Sequence, residues 1–175
     1  MRIVHVTPHL PPDQAANALL PFQLGEWARA RGDSVHYVAH PPAFAPGRFG
    51  EAGSVSGEHG DARPYVTWIP RTKRSFLQRA IRTGSIAGAW RIRRETEALL
   101  AQADVVHVHS NGLLAEVSAR LAAKIGKPVV LTLYGTEIWH YRRKFGPDLF
   151  PRAYRHADAV TFYSQKLLER ARQLG

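Results

Sequence analysis

Two histidines, His107 and His109, stand at the end of an apolar run and are followed at once by Ser110, Asn111 and Gly112. A second apolar run closes on Tyr134, Gly135, Thr136 and Glu137. Imidazole, amide, phenol and carboxylate groups gathered in this way hydrogen-bond hydroxyl-bearing or anionic ligands. Residues 110–112 fall where a helix begins, and free N–H groups with the helix dipole favour an anion there by about 0.3–1 kcal/mol. Ser110 or Asn111 would also serve as the cap of that helix. His107 and His109 are placed on opposite sides of their strand, one buried and the other at the strand's end, or else both are packed and hydrogen-bonded. On that placement they share no metal, and no metal site is expected.

The elements that must position these groups follow from periodicity. Residues 104–109 form a short β-branched strand, and Leu113, Leu114, Val117, Leu121 and Ile125 fall on one helical face. Gly126 and Pro128 end that helix, and residues 128–133 are the next strand. Strand, helix, strand within about 30 residues is a βαβ unit, whose ligands sit at the carboxyl ends of its strands.

The opening of the chain repeats the unit. Residues 2–7 are a strand, and Gln14, Ala15 and Ala16 lead into a helix over 17–31. Asn17 is its cap, Pro21 lies in its first turn, and Leu20, Leu24, Trp27 and Ala28 form its apolar face. Residues 34–39 and 65–69 are further strands, and 91–101 is a helix. After the central unit come a short helix over 147–156, a strand over 157–163, and a helix opened by Ser164. The expected class is α/β: one Rossmann-like, doubly wound domain over 1–175, with a mostly parallel sheet and helices on both faces. Gln14, Ala15 and Ala16, His109, Ser110 and Asn111, and Tyr134, Gly135 and Glu137 would then share one rim as substrate-binding groups. No catalytic residue is singled out.

Composition narrows the class. The chain has 175 residues, a net charge of +10 and no cysteine, so disulfides and thiolate metal sites are excluded. The first residues lack the apolar core of a signal peptide, and no apolar run approaches the roughly 18 residues of a membrane span. A cytoplasmic location is expected, with a peripheral place at the inner face of the membrane open to it. Residues 41–64 hold nine Gly or Pro and read as a mobile loop. Residues 71–94 carry eight Arg or Lys and no acid, among them Arg71, Lys73, Arg74, Arg79 and Arg82, interleaved with Phe76, Leu77, Ile81, Ile86, Trp90 and Ile92. Such a segment suits an anionic membrane, or equally a solvated helix whose apolar side packs on the sheet. No nucleic-acid motif accompanies it. No Gly-x-Ser-x-Gly elbow, Walker loop or Gly-x-Gly-x-x-Gly fingerprint is present, and the segment TPHLPPDQAAN after the first strand argues against a nicotinamide enzyme.

Three passages carry a family resemblance. They are Pro11-Pro12 followed by a helix ending ARARGDSVHYVAH, the stretch ADVVHVHSNGLLAEVSARLAAKIGKPVVLTLYGTE, and HADAVTFYSQKLLERARQLG. Together they resemble the N-terminal, acceptor-side domain of a GT-B glycosyltransferase of family 4. Two positions depart from that family's pattern. Ala15-Ala16 replaces a Gly-Gly pair that lets backbone approach a phosphate closely. Tyr134 replaces a histidine, and a phenol of pKa about 10 orients a hydroxyl rather than accepting its proton near neutrality. The family's donor-binding half carries a paired-glutamate motif, and no two glutamates here have seven residues between them. The resemblance therefore implies an acceptor-binding half, inactive alone, whose C-terminal domain or partner subunit is elsewhere. It implies a nucleotide-sugar donor, a saccharide, lipid-linked or other hydroxyl acceptor, no tightly bound cofactor and no metal. The alternative is a non-catalytic Rossmann-like module that docks on an anionic membrane or polymer.

Overall fold

A computed structural model describes residues 1–13, 15–42, 65–72, 85–140 and 153–173, with the backbone alone at Tyr65, Thr136 and Glu137. Gln14, Lys73, Arg74, Arg79 and Arg82 lie outside the described residues, as do nearly all of the expected 41–64 loop and most of the expected 147–156 helix. The elements run β1 (Arg2–Thr7), α1 (Ala16–Ala30), β2 (Ser34–Ala39), β3 (Tyr65–Trp68), α2 (Ile86–Ala101), β4 (Val105–His109), α3 (Leu113–Lys124), β5 (Val129–Leu133), α4 (Thr136–Trp139), β6 (Ala159–Phe162) and α5 (Gln165–Gln173). The six strands form one sheet in the order β3-β2-β1-β4-β5-β6, and every pairing is parallel. The chain winds outward in one direction from β1 and in the other from β4. That reversal is the switch point at which doubly wound sheets hold ligands, beyond the carboxyl ends of their strands.

Strand alternation divides the core between two faces. Val4, Val6, Val38, Val106, Val108, Leu131 and Leu133 pack with Ile92 and Leu100 of α2 and Leu114, Ala119 and Leu121 of α3. Ile3, Val35, Tyr37 and Ala39 pack with Ala28 of α1, with Phe22 against them.

Helix α1 corrects the expected apolar face. Its buried residues are Ala18, Pro21, Gly25 and Ala28. Leu24 is 41% exposed and Trp27 60%. Small side chains at helical spacing let the helix sit close to Tyr37. A Cβ at Gly25 would lie 2.6 Å from the Tyr37 Cζ, and the Tyr37 hydroxyl donates to the Phe22 carbonyl at 3.1 Å. Asn17 is not the cap, because α1 starts a residue earlier and its capping position, Ala15, makes no side-chain bond. Pro21 lies beyond the first turn. Its missing N–H would leave the Asn17 carbonyl without its helical donor, and the Thr7 hydroxyl, 2.7 Å from that oxygen, stands in for it.

The start of α3 corrects a second expectation. Neither Ser110 nor Asn111 caps it; the capping residue is Gly112, at φ 114°, and no side chain bonds there. Ser110 is buried, its backbone is left-handed at φ 68°, and its amide donates to Thr132 at 2.9 Å. It therefore prolongs the β4–β5 ladder by one residue, and Gly112 makes the turn into the helix. Ser164 does cap α5, accepting the Leu167 amide at 3.3 Å.

Candidate functional site

Three loops of the carboxyl edge bear the expected groups. Residues 8–15 follow β1, residues 110–112 follow β4, and Tyr134 and Gly135 follow β5. The first two flank the switch point. Ala15 and Ala16 are exposed at the start of α1, and the Ala15 carbonyl takes the amides of Ala18 and Leu19 at 2.8 and 3.0 Å. Asn111 is half-buried. Gly135, at φ 137°, turns the chain from β5 into α4. The Glu137 side chain lies outside the described atoms.

Beneath this edge lies a polar stripe. His5 is in register with His107 across β1 and β4, His109 with Thr132 across β4 and β5, and Thr132 with Thr161 across β5 and β6. His107 and His109 were expected on opposite sides of the strand. They lie on one face, because residues i and i+2 of a strand always do, and their ring centroids are 4.0 Å apart. The ground on which a shared metal was set aside therefore falls. One nitrogen from each of His5, His107 and His109 lies within 4.8 Å of the others.

The hydrogen bonds show how those nitrogens are used. His5 Nδ1 and His109 Nε2 are 2.9 Å apart, and His109 Nδ1 is 2.7 Å from the Tyr134 hydroxyl. His107 Nε2 is 2.7 Å from Thr132 Oγ1, which is 2.6 Å from Thr161 Oγ1. A tetrahedral three-histidine metal site needs three inward lone pairs. Here two of the nitrogens, His5 Nδ1 and His109 Nε2, are paired with each other, a hydrogen bond that an ion bound between them would have to replace.

Burial first, and His107 second, pushes His5 down to about 3. Burial takes His107 to about 4 and holds His109 well below the usual histidine range, with His107 and His5 adding to the effect. All three are neutral at pH 7, and each then has one donor and one acceptor nitrogen. His5 Nε2 is buried without a hydrogen-bond partner. A bare lone pair is tolerated better than an orphaned N–H. The chain therefore runs from His5 Nδ1–H to His109 Nε2, and from His109 Nδ1–H to the Tyr134 oxygen. Tyr134 accepts from His109 and directs its own proton elsewhere.

A second polar group occupies the loop after β1. His9 Nδ1 is 2.8 Å from Asp13 Oδ2. Asp13 is buried, and its Oδ1 has no hydrogen-bond partner, a situation that ordinarily costs about 1–3 kcal/mol or more for a charged group. Arg71 belongs to this edge and not to a basic helix face: its guanidinium donates to the Pro41 and Pro8 carbonyls at 3.1 and 3.3 Å, tying the loops after β1 and β2 together.

Sequence reasoning missed His5, His9 and Asp13. A histidine inside the otherwise apolar RIVHVT strand was the available signal for His5, and the i, i+4 spacing for His9 and Asp13.

Residues 4–175 match the family model Glycosyltransferase Family 4. The chain belongs to glycosyltransferase family 4. Its fold is similar to that of a Listeria monocytogenes protein described as a UDP-N-acetylglucosamine 2-epimerase, with a TM-score of 0.62 and 14% identity over 100% of this chain and 42% of the other. It is similar also to the UDP-GlcNAc 2-epimerase of Methanocaldococcus jannaschii, with a TM-score of 0.54 and 14% identity over 100% of this chain and 43% of that one. At such identity the likeness is one of fold: this family 4 chain corresponds to one Rossmann-like half of a GT-B architecture and spans less than half the length of either neighbour. No curated protein matches it.

Proposed function

We propose that the chain is the acceptor-binding half of a glycosyltransferase that moves a sugar from a nucleotide-sugar donor to a hydroxyl of a saccharide, lipid-linked or other acceptor. The observation that carries this reading is the edge at the switch point. There a family 4 domain gathers a chain from the buried His5 and His109 to the half-buried Tyr134, the Ser110–Gly112 turn and the His9–Asp13 loop on the carboxyl side of one parallel sheet. In such a transfer the protein mainly positions both substrates and stabilises the departing phosphate. Tyr134, set by the histidines behind it, orients the acceptor. The nucleotide sugar is a substrate, and no metal or tightly held cofactor takes part. A second Rossmann-like half, on the same polypeptide or a partner subunit, binds the donor.

The test compares the isolated chain with the natural gene product that carries it. Both are incubated with UDP-glucose, UDP-N-acetylglucosamine and GDP-mannose and a set of glycoside and lipid-linked acceptors. Released nucleoside diphosphate is expected from the gene product and not from the chain alone. Turnover by the chain alone would overturn the half-enzyme reading, and an inactive gene product would overturn the transferase reading.

A second reading rests on a separate surface. Ile86 is 76% and Trp90 61% exposed at the start of α2, with the Arg94 guanidinium 4.8 Å from the Trp90 ring. They belong to the basic segment, and together these features favour peripheral contact with anionic lipid at the inner face of the membrane. Among the described residues no helix is long and apolar enough to cross a membrane.

A further inference from the structure

We propose that His5, His107 and His109 form a site for one divalent transition-metal ion, Zn²⁺ or a cation with the same preference for imidazole nitrogen over oxygen. The site does not depend on the transferase reading, and the ion takes no part in the transfer of the sugar. One nitrogen from each ring lies within 4.8 Å of the other two. Zn–N bonds of about 2.0–2.1 Å at tetrahedral angles set neighbouring nitrogens about 3.3 Å apart and ring centroids about 5 Å apart. One pair here, His5 Nδ1 and His109 Nε2, is at 2.9 Å. The His5 centroid is 5.2 Å from each of the others. His107 and His109, with centroids at 4.0 Å, have to part by roughly 1 Å to match.

The surroundings suit ligands of this kind. Metal-ligating histidines have their second ring nitrogen held by a hydrogen-bond partner, which fixes the tautomer. His109 Nδ1 has the Tyr134 hydroxyl at 2.7 Å, leaving Nε2 to the ion. His107 Nε2 has Thr132 Oγ1 at 2.7 Å, itself 2.6 Å from Thr161 Oγ1, leaving Nδ1. His5 is the ligand that changes. Without the ion its Nδ1–H donates to His109 Nε2; with the ion between them, Nδ1 ligates and the proton stands on Nε2. That nitrogen is buried with no hydrogen-bond partner, so the ion binds less tightly than in a site whose three ligands are all held from behind. Burial already keeps the three rings neutral at pH 7, the form that ligates.

His5 and His109 are 2% and 0% exposed, and Tyr37 stacks on the β2 side of His5 at 5.5 Å. His107 is half-buried, which leaves its side for the entry of an ion and for a water in the fourth position. The ligands lie on β1 and β4, which pair directly at the centre of the sheet, and His5 and His109 are 104 residues apart in the chain. A bound ion therefore clips the two central strands together and adds to the stability of the fold.

The test is made on the chain freed of metal with a chelator, with ZnCl₂, CoCl₂ and MgCl₂ as the probes. One Zn²⁺ per chain should bind in equilibrium dialysis. The melting temperature should rise with Zn²⁺ and not with Mg²⁺, and Co²⁺ should give the strong visible bands of a four-coordinate site. His107→Gln, which keeps an amide for Thr132, should lose the bound ion and the rise in melting temperature, and so should His5→Gln. Tyr134→Phe should weaken binding by about 10–100-fold, and His9→Gln should leave it unchanged. A wild-type chain that binds no Zn²⁺ overturns the proposal, as does Zn²⁺ binding that survives in His107→Gln or that vanishes in His9→Gln. A measurement on the wild type alone covers variants that do not fold. The imidazole nitrogen resonances of His5, His107 and His109 should shift on adding Zn²⁺, and shifts confined to other histidines overturn the proposal.

Discussion

His5 has no partner at its Nε2, and with His107 and His109 it is one of three histidines whose burial opposes protonation of the folded chain. Folded, His5 is held down at about 3 and His109 well below the usual range, both chiefly by burial. The unfolded chain protonates each near pH 6.5. Because the folded values are the lower ones, these residues favour folding above about pH 6.5 and cost stability as pH falls, by about 1.4 kcal/mol per unit for each histidine. Urea unfolding at pH 7, 6 and 5 should show a steep loss for wild type and a slope smaller by about one proton for His5→Gln. An unchanged slope would mean that His5 is protonated in the folded state. The histidine network was only partly legible in the sequence. Strand alternation, correctly applied, puts His107 and His109 on one face, but nothing short of the β1–β4 register shows that His5 completes the group.

At the scale of elements, the strands were legible because buried parallel strands read as uninterrupted apolar runs. The inward face of α1 was not. Its large apolar residues, Leu24 and Trp27, point outward, and the Arg31 guanidinium sits 4.5 Å from the Trp27 ring. The helix packs through Ala18, Pro21, Gly25 and Ala28, whose size matters only once Tyr37 is known to lie opposite. Gly25→Ala should gain up to about 1 kcal/mol of helix propensity yet lower stability by about 1–3 kcal/mol net through overpacking on Tyr37. A denaturant series on Gly25→Ala, Tyr37→Ala and the double variant gives the coupling directly, and a stabilised Gly25→Ala would refute the packing argument. Thr7→Val should cost about 1–2 kcal/mol, since it strips the Asn17 carbonyl of the hydroxyl that replaces the missing Pro21 amide.

For the whole molecule, the strand order carries the functional reading, since it brings loops far apart in sequence to one edge. The net charge of +10 bears on a different property. If the basic segment and the exposed Ile86 and Trp90 meet anionic lipid, the chain should sediment with phosphatidylserine vesicles at low salt and less so as screening shortens toward about 8 Å near physiological salt. Trp90→Ser, or Arg74, Arg79 and Arg82 changed to Glu, should reduce sedimentation. Equal sedimentation of all variants would leave the tryptophan as a merely solvent-facing residue.

The place of β1 has a consequence for synthesis. It leaves the ribosome before the other five strands of its sheet and is a central strand of that sheet, yet its partner β4 follows about 100 residues later, with Ile3 against Val105. At roughly 5–20 residues per second, β1 and β2 wait roughly 5–20 seconds with one β1 edge unpaired. Nascent chains of this protein should therefore recruit holding chaperones until residue 109 clears the exit tunnel, and refolding from denaturant should lose yield to aggregation as concentration rises.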